Sequence, residues 1–254
     1  MTAASWTAIG HENVVETYSG LAASVVGVRE AQLDGCRLFT HKTPLSLCNF
    51  AIDFRTTSEE LGELADQLAQ LNRERPHMRI FVVDGDQPAG IGRALTDCGL
   101  TKLGVLTQMV YSEQAGPSIE LVLSSNEEER TRLAKFMVAN FFWRREMVLR
   151  TTIVEATVSS PHQLYGAWIG QELVGAVMLS ETARSMGLYN LCVEPRRRKR
   201  GVGTRIVQAC AQKADTRSKA LVLQTEARLV PWYENNGFRS FGFVETYGIG
   251  SRIL

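Results

Sequence analysis

The sequence predicts a mixed α/β (α+β) protein of two similar units, each with a mixed, mainly antiparallel central sheet flanked by helices. Three observations carry this expectation. The order strand, helix, strand, helix, glycine, strand occurs twice along the 254 residues. Consecutive strands joined by short turns lead into the second occurrence, as in an antiparallel meander. A tight loop rich in arginine and glycine then carries the chain from a buried strand into an amphipathic helix.

Residues 11–28 set Val14, Val15, Tyr18, Leu21, Ala22 and Val25 at helical spacing. Asp34-Gly35 punctuates the chain, and strands follow over Cys36 to Thr43 and Leu47 to Phe54, with a turn at Pro44 between them. A helix from Ser58 to Arg73 presents the stripe Leu61, Leu64, Ala65, Leu68 and Leu71. Met78 to Val83 reads as a strand, Ala89 to Cys98 as a short helix stopped by Gly99, and Leu103 to Tyr111 as the closing strand. Glu113 to Ser118 is polar and holds adjacent Gly and Pro, which places a boundary there and divides the chain into residues 1–115 and 116–254.

The second unit opens with a strand, Ile119 to Leu123, and a capping-box spacing at Ser125-Asn126-Glu127-Glu128 ahead of Leu133, Phe136, Met137 and Phe141. After the segment from Trp143 to Val158 come strands at Leu164 to Ile169, Leu173 to Leu179 and Leu188 to Val193. Pro195 ends the last of these, because it cannot donate to a sheet ladder. From Val202 the residues Ile206, Val207, Cys210 and Ala211 give a helix one apolar stripe. Ala220 to Thr225 is a strand, and Pro231 suits the first turn of a short helix before Gly237. Cys48 to Asp53 lines up with Tyr189 to Glu194, and Ile80 to Val83 with Leu221 to Gln224, both about 141 positions apart; an ancestral duplication explains this.

Composition narrows the class. Hydrophobic residues make up 44% and charged residues 22%, and no apolar run is long enough to span a bilayer, so no membrane association is expected. The opening Met-Thr-Ala-Ala-Ser-Trp lacks the basic and apolar regions of a secretory signal, which points to a cytoplasmic protein. The five cysteines are odd in number and form no Cys-x-x-Cys pair, and they read as reduced structural thiols. No zinc-ligand spacing is present, and none of the four histidines stands out as a site residue, so no metal is expected. A net charge of +1 supplies no field to draw the whole protein onto nucleic acid.

The loop Pro195-Arg-Arg-Arg-Lys-Arg-Gly-Val-Gly-Thr204 holds the chemistry. Gly201 and Gly203 allow successive backbone N–H groups to converge on an anion, as at a pyrophosphate cradle. The loop lacks the spacing of a P-loop or of a Gly-x-Gly-x-x-Gly dinucleotide site. The plainer reading of Arg196 to Arg200 is a solvated basic turn or a nucleic-acid patch; its position between a strand and an amphipathic helix weighs against that. Arg198-x-x-Gly201-x-Gly203 just past a strand-ending proline resembles the acetyl-CoA signature of the GNAT superfamily of N-acetyltransferases. Ala227 to Phe238, with Trp232-Tyr233 ahead of Gly237-Phe238, resembles the second motif of that family. The order of elements over residues 119–248 resembles its fold, and the whole chain resembles a tandem GNAT with a degenerate first unit. There Arg55-Thr-Thr-Ser-Glu-Glu60 stands where the second unit has its glycines, so the first unit is expected not to bind cofactor but to wall the acceptor site.

The resemblance implies acetyl-CoA as cosubstrate and a primary amine, small molecule or peptide, as acceptor, attacking directly in a ternary complex. It implies a cofactor site from Leu191, Cys192 and Val193 through Arg198, Lys199, Arg200, Gly201, Val202, Gly203 and Thr204, with a backbone N–H near Cys192 or Val193 facing the developing oxyanion. It also implies that Tyr233 reaches the cofactor sulfur and protonates the leaving thiolate; the plainer role is a half-buried tyrosine bonded to a carbonyl. An alkyl ammonium, with a pKa of about 10.4, needs help to lose its proton. Glu226 and Glu194, at strand ends beside the cleft, are the candidate bases, each equally readable as a surface carboxylate, and water could serve instead. Asn140 to Arg145 combines aromatics with charge and is the expected acceptor-recognition segment, core packing being its plainer reading. A non-catalytic acyl-CoA sensor, or an acyltransferase with a different donor or acceptor, stays open, as does a monomer or a homodimer.

Overall fold

The computed structural model describes residues 3–250. The first half runs α1 (Ala3–Ala23), β1 (Arg29–Leu33), β2 (Cys36–Thr40), β3 (Phe50–Ile52), α2 (Leu61–Glu74), β4 (Arg79–Val83), α3 (Ile91–Asp97) and β5 (Thr101–Tyr111). The second runs β6 (Leu121–Leu123), α4 (Glu127–Phe141), α5 (Met147–Ser159), β7 (Gln163–Ile169), β8 (Glu172–Glu181), β9 (Ser185–Val193), α6 (Val202–Thr216), β10 (Ala220–Thr225), α7 (Val230–Glu234) and β11 (Phe238–Gly248). All strands join one sheet in the order β1-β2-β3-β4-β11-β5-β10-β9-β8-β7-β6. It is mixed and mainly antiparallel, as expected. Only β3–β4 and β9–β10 are parallel, one pair in each unit.

The two halves repeat each other closely. α2 begins at Leu61 and α6 at Val202, 141 positions later, and β5 and β11 are both 11 residues long. Their closing strands are exchanged. β11 pairs with β4 of the first half, and β5 pairs with β10 of the second, so β5 and β11 lie side by side at the centre. The loop holding the boundary at 115/116 connects β5 to β6, and each unit divided there lends its last strand to the other.

Alternation along the strands sends side chains to two faces. In β4, Ile80 packs under α2 and α3 with Leu64, Leu68 and Leu95, whereas Val83 faces α1 with Val14 and Val15. In β10, Leu221 and Leu223 pack under α6 with Ile206, Val207 and Cys210, whereas Val222 meets Ile9 of α1. α1 therefore serves both units from one face, α4 covers β7 to β9 beside it, and α5 packs against α4 and α1.

Three local differences from expectation have physical causes. α1 starts eight residues before His11, because it is buried on nearly every side and shows little amphipathic contrast. Its polar residues are engaged: Asn13 Nδ2 donates to the Ser180 carbonyl at 3.2 Å and Ser185 Oγ at 3.1 Å, and Asn13 Oδ1 accepts from the Tyr189 hydroxyl at 3.0 Å. The strand expected over Leu47 to Phe54 shrinks to β3. The buried Asn49 amide bonds the Thr43 and Leu45 carbonyls and the His41 N–H, which holds residues 46–48 in a 3-10 turn instead of a ladder. β1 was not anticipated because an exposed edge strand has no apolar alternation to read.

The packing of α1 makes stability pH-dependent. His162 Nε2 donates to the Thr17 carbonyl at 3.2 Å, and burial, then the nearby Arg130 charge, holds its imidazole below the ordinary histidine range. The unfolded chain therefore binds the proton at a higher pH than the folded one. Stability from this residue is present above about pH 6.5 and is lost as the pH falls below it. Thermal unfolding between pH 8 and pH 5 is expected to show this slope, and His162→Gln to flatten part of it; an unchanged slope would remove His162 as its source. Among the described residues no helix is long and apolar enough to cross a membrane.

Candidate active site

β9 and β10 begin as a parallel pair and then part. Their ladder runs only from Ser185↔Ala220 to Gly187↔Val222, although β9 continues to Val193 and β10 to Thr225. An extra residue in β9 helps to turn it. Tyr189 lies opposite Met178 and Cys192 opposite Ala176, with Asn190 between them at φ 51°. Past this bulge the Glu194 N–H donates to the Val174 carbonyl on β8 at 3.0 Å, so alternation turns the Val193 N–H away from β8 toward the gap. The Val193 carbonyl accepts from Arg198 Nε at 3.1 Å, and Arg198 Nη2 donates to Asn140 Oδ1 of α4 at 2.8 Å. Leu191 and Val193 pack on the α6 side of the sheet and Cys192 on the α4 side.

The loop that follows meets the start of α6 with its N–H groups free. A 3-10 turn at Pro195–Arg197 leads to Lys199 at φ 59° and Gly201 at φ 75°. No side chain caps α6, so the N–H groups of its first turn, Val202, Gly203 and Thr204 among them, lack an intrahelical partner. Arg198, Lys199 and Arg200 are exposed around them, while Arg197 is held by Glu172. Gly201 is needed for its left-handed backbone and has open space beyond it. Gly203 also meets a packing need. A Cβ there would lie 3.3 Å from Trp232 and 3.7 Å from Val193, so the missing side chain lets α7 close against the loop and the end of β9. Cationic side chains around orphan helix N–H groups suit a pyrophosphate.

The proposed acid and bases sit around this junction. Pro231 occupies the first turn of α7, and Tyr233 two residues on is buried edge-on against Trp232 and Phe238. Burial, and then Cys210, push the Tyr233 phenol up to about 12, and its hydroxyl has no hydrogen-bond partner among the described residues. Glu194 ends β9 with its Oε2 buried and unpartnered. Glu226 ends β10 but is 57% exposed and accepts from Arg228 Nε at 2.5 Å. Burial likewise pushes the Cys192 and Cys210 thiols up to about 12, which leaves neither as a thiolate at neutral pH.

The profile of the acetyltransferase (GNAT) domain matches residues 126–251. The chain carries a GNAT acetyltransferase domain. Solved structures agree in fold over nearly the whole length. A GCN5-related N-acetyltransferase from Kribbella flavida superposes with a TM-score of 0.67 at 12% identity, covering 94% of this chain and 95% of that one. A putative GNAT-family acetyltransferase from Novosphingobium aromaticivorans gives 0.57 at 17% identity, with 94% and 97% covered. A tandem GNAT protein from the clavulanic acid biosynthesis pathway gives 0.59 at 14%, with 94% of both covered. Comparison of the sequence with curated proteins finds no match.

The first half lacks the opening that the GNAT domain has. Beyond the β3–β4 ladder, Asp86 accepts the Phe54 N–H at 3.0 Å and the Val83 N–H at 2.7 Å, and the Gln87 N–H donates to the Phe54 carbonyl at 3.0 Å. His11 Nε2, 2.8 Å from Asp86, ties α1 to the same point. Asp53 joins them, and Arg55 lies 3.2 Å from Asp53 and 3.3 Å from His11, so a guanidinium already pairs with this cluster. Ahead of α2 the Glu60 carboxylate accepts from the Thr57 N–H at 3.2 Å and from both threonine hydroxyls, bonds that hold it below the usual carboxylate range.

On the α1, α4 and α5 face of the GNAT domain lies a cavity of about 230 Å³. Both halves line it: Tyr18 and Leu21 from α1, Phe50 and Phe81 from the first-half strands, and Phe142 and Arg145 from the segment joining α4 to α5. Asn190, at the β9 bulge, lines it too. Sequence reading named Phe142 and Arg145 within a longer segment and missed Asn190, Phe50 and Phe81. An asparagine inside an apolar strand is the signal that could have marked the bulge.

Proposed function

We infer that the GNAT domain transfers an acetyl group from acetyl-CoA to a primary amine by direct attack. The observation that carries this reading is the parting of β9 from β10 beside the uncapped start of α6, found in the second unit and stitched shut in the first. The N–H groups from Gly201 to Thr204 with Arg198, Lys199 and Arg200 hold the pyrophosphate. Leu191 and Cys192 flank the gap, and the Val193 N–H faces the charge that develops on the acetyl oxygen, where a preorganised donor is worth several kcal/mol at about 3–4. Tyr233 gives its proton to the departing thiolate, and the unpartnered Glu194 carboxylate is better placed than the arginine-paired Glu226 to take one from the amine. The first unit binds no cofactor and supplies one wall of the acceptor cavity.

Tyr233→Phe is expected to lower kcat by roughly 100-fold, the usual worth of a positioned acid, with acetyl-CoA affinity unchanged. Because burial pushes the phenol up to about 12, the wild type should show no loss of kcat from this group up to about pH 10. Thiol release measured against a panel of amines checks both. A variant as fast as the wild type would remove Tyr233 from the chemistry, and binding without turnover would favour the sensor reading.

A further inference from the structure

The cavity beside the β9 bulge carries information about the acceptor. Its walls are mainly apolar, with Leu47, Phe50, Phe81 and Phe142 prominent, and no carboxylate lines it. Its only charged lining residue is Arg145, exposed at the rim. Among the described residues no carboxylate lies within ion-pair distance of Arg145. Arg79, buried and with its side chain donating to the Pro76 and Met78 carbonyls, is held below the ordinary arginine range by burial and then by the charge of Arg145. Arg145 thus brings a positive charge to an apolar cavity that no carboxylate lines. The Thr157 hydroxyl is spent on the Ile153 carbonyl at 2.7 Å, whereas no hydrogen bond engages the Asn190 side chain among the described residues.

We propose that this cavity takes an amine with a compact apolar body and an anionic group, of the kind an apolar α-amino acid represents, with the anion set against Arg145. The proposal rests on the acetyltransferase reading above and deepens it. An apolar body gains by leaving water for these walls. A carboxylate supplies the counter-charge that Arg145 lacks and is matched by a guanidinium in a bidentate pair. A polyamine would bring further positive charge to the same place, with no carboxylate to receive it. The bulge carries Asn190 both into the cavity and to the point where β9 turns from β10, so a ligand seated there lies against the gap through which the acetyl group would be presented.

The experiment uses the whole chain and separates this proposal from the reading it rests on. Calorimetry with acetyl-CoA alone tests the cofactor. Calorimetry with N-acetyl-phenylalanine and with its uncharged amide tests the cavity, whether or not turnover is seen. Wild type is expected to bind the acid at least 10-fold more tightly than the amide, and Arg145→Gln to erase that difference. With acetyl-CoA present, phenylalanine is expected to exceed both phenethylamine and spermidine in kcat/KM, Arg145→Gln raising KM for phenylalanine while kcat changes little. Equal binding of acid and amide, binding of neither, a preference for spermidine, or a preference that survives in Arg145→Gln would overturn the proposal even if acetyl-CoA binds.

Discussion

Gly201→Glu is expected to abolish the binding of acetyl-CoA, from a micromolar dissociation constant to none detectable by calorimetry. Two effects add. Gly201 sits at φ 75°, where a side chain costs about 1–2 kcal/mol in backbone strain. The larger effect is electrostatic, since a carboxylate at this point would take the free N–H groups of α6 for itself and repel a phosphate. The half whose gap is closed already carries a carboxylate at the matching point, Glu60, which stands immediately before α2 and accepts from the Thr57 N–H and hydroxyl. Gly201→Ala separates the terms: it carries the strain without the charge and should weaken binding only about 10-fold, in line with a strain of 1–2 kcal/mol. Circular dichroism would confirm that both variants fold. Undiminished binding by Gly201→Glu would place the cofactor elsewhere.

Removal of residues 238–254 is expected to abolish the folded state rather than merely trim an end. β11 lies between β4 and β5 and pairs with both, so its loss opens two edges in the middle of the sheet. Phe238, Val244 and Tyr247 are buried in three different core clusters. At about 1.5–3 kcal/mol for each large apolar side chain, their loss alone approaches the 5–15 kcal/mol that holds an ordinary domain together. The truncated chain should show no cooperative thermal transition. By the same reasoning residues 1–115 and 116–254 made as separate chains should each fail to unfold cooperatively alone, and should recover a transition when mixed, because each needs the other's last strand. A cooperative transition from either piece alone would show that the exchange of strands is dispensable.

The amphipathic helices were legible because their information is local. Leu61, Leu64, Leu68 on α2 and Ile206, Val207, Cys210 on α6 recur at the period of the helix itself, and both stripes are buried as read. The basic loop was legible for the same reason: a proline that ends a strand, a glycine at a left-handed position and a helix start lie within nine residues of one another. α1 and β1 were read poorly, the first because burial on all sides erases periodicity and the second because an exposed edge has none.

Tertiary structure decided which strand lies beside which. β5 and β11 have the same length and corresponding places in two similar halves, so local alternation suits either neighbour, and only the assembled sheet sets β11 against β4 and β5 against β10. It also decided that one gap stays open and the other is closed by Asp86, a residue 32 positions from the Phe54 N–H it accepts. The cavity beside the β9 bulge belongs to the same class, since Tyr18, Phe81, Arg145 and Asn190 meet only after the halves pack. Sequence periodicity and turn chemistry act across a few residues and determine the elements; pairing, gaps and cavities depend on contacts between distant segments, which no local pattern encodes.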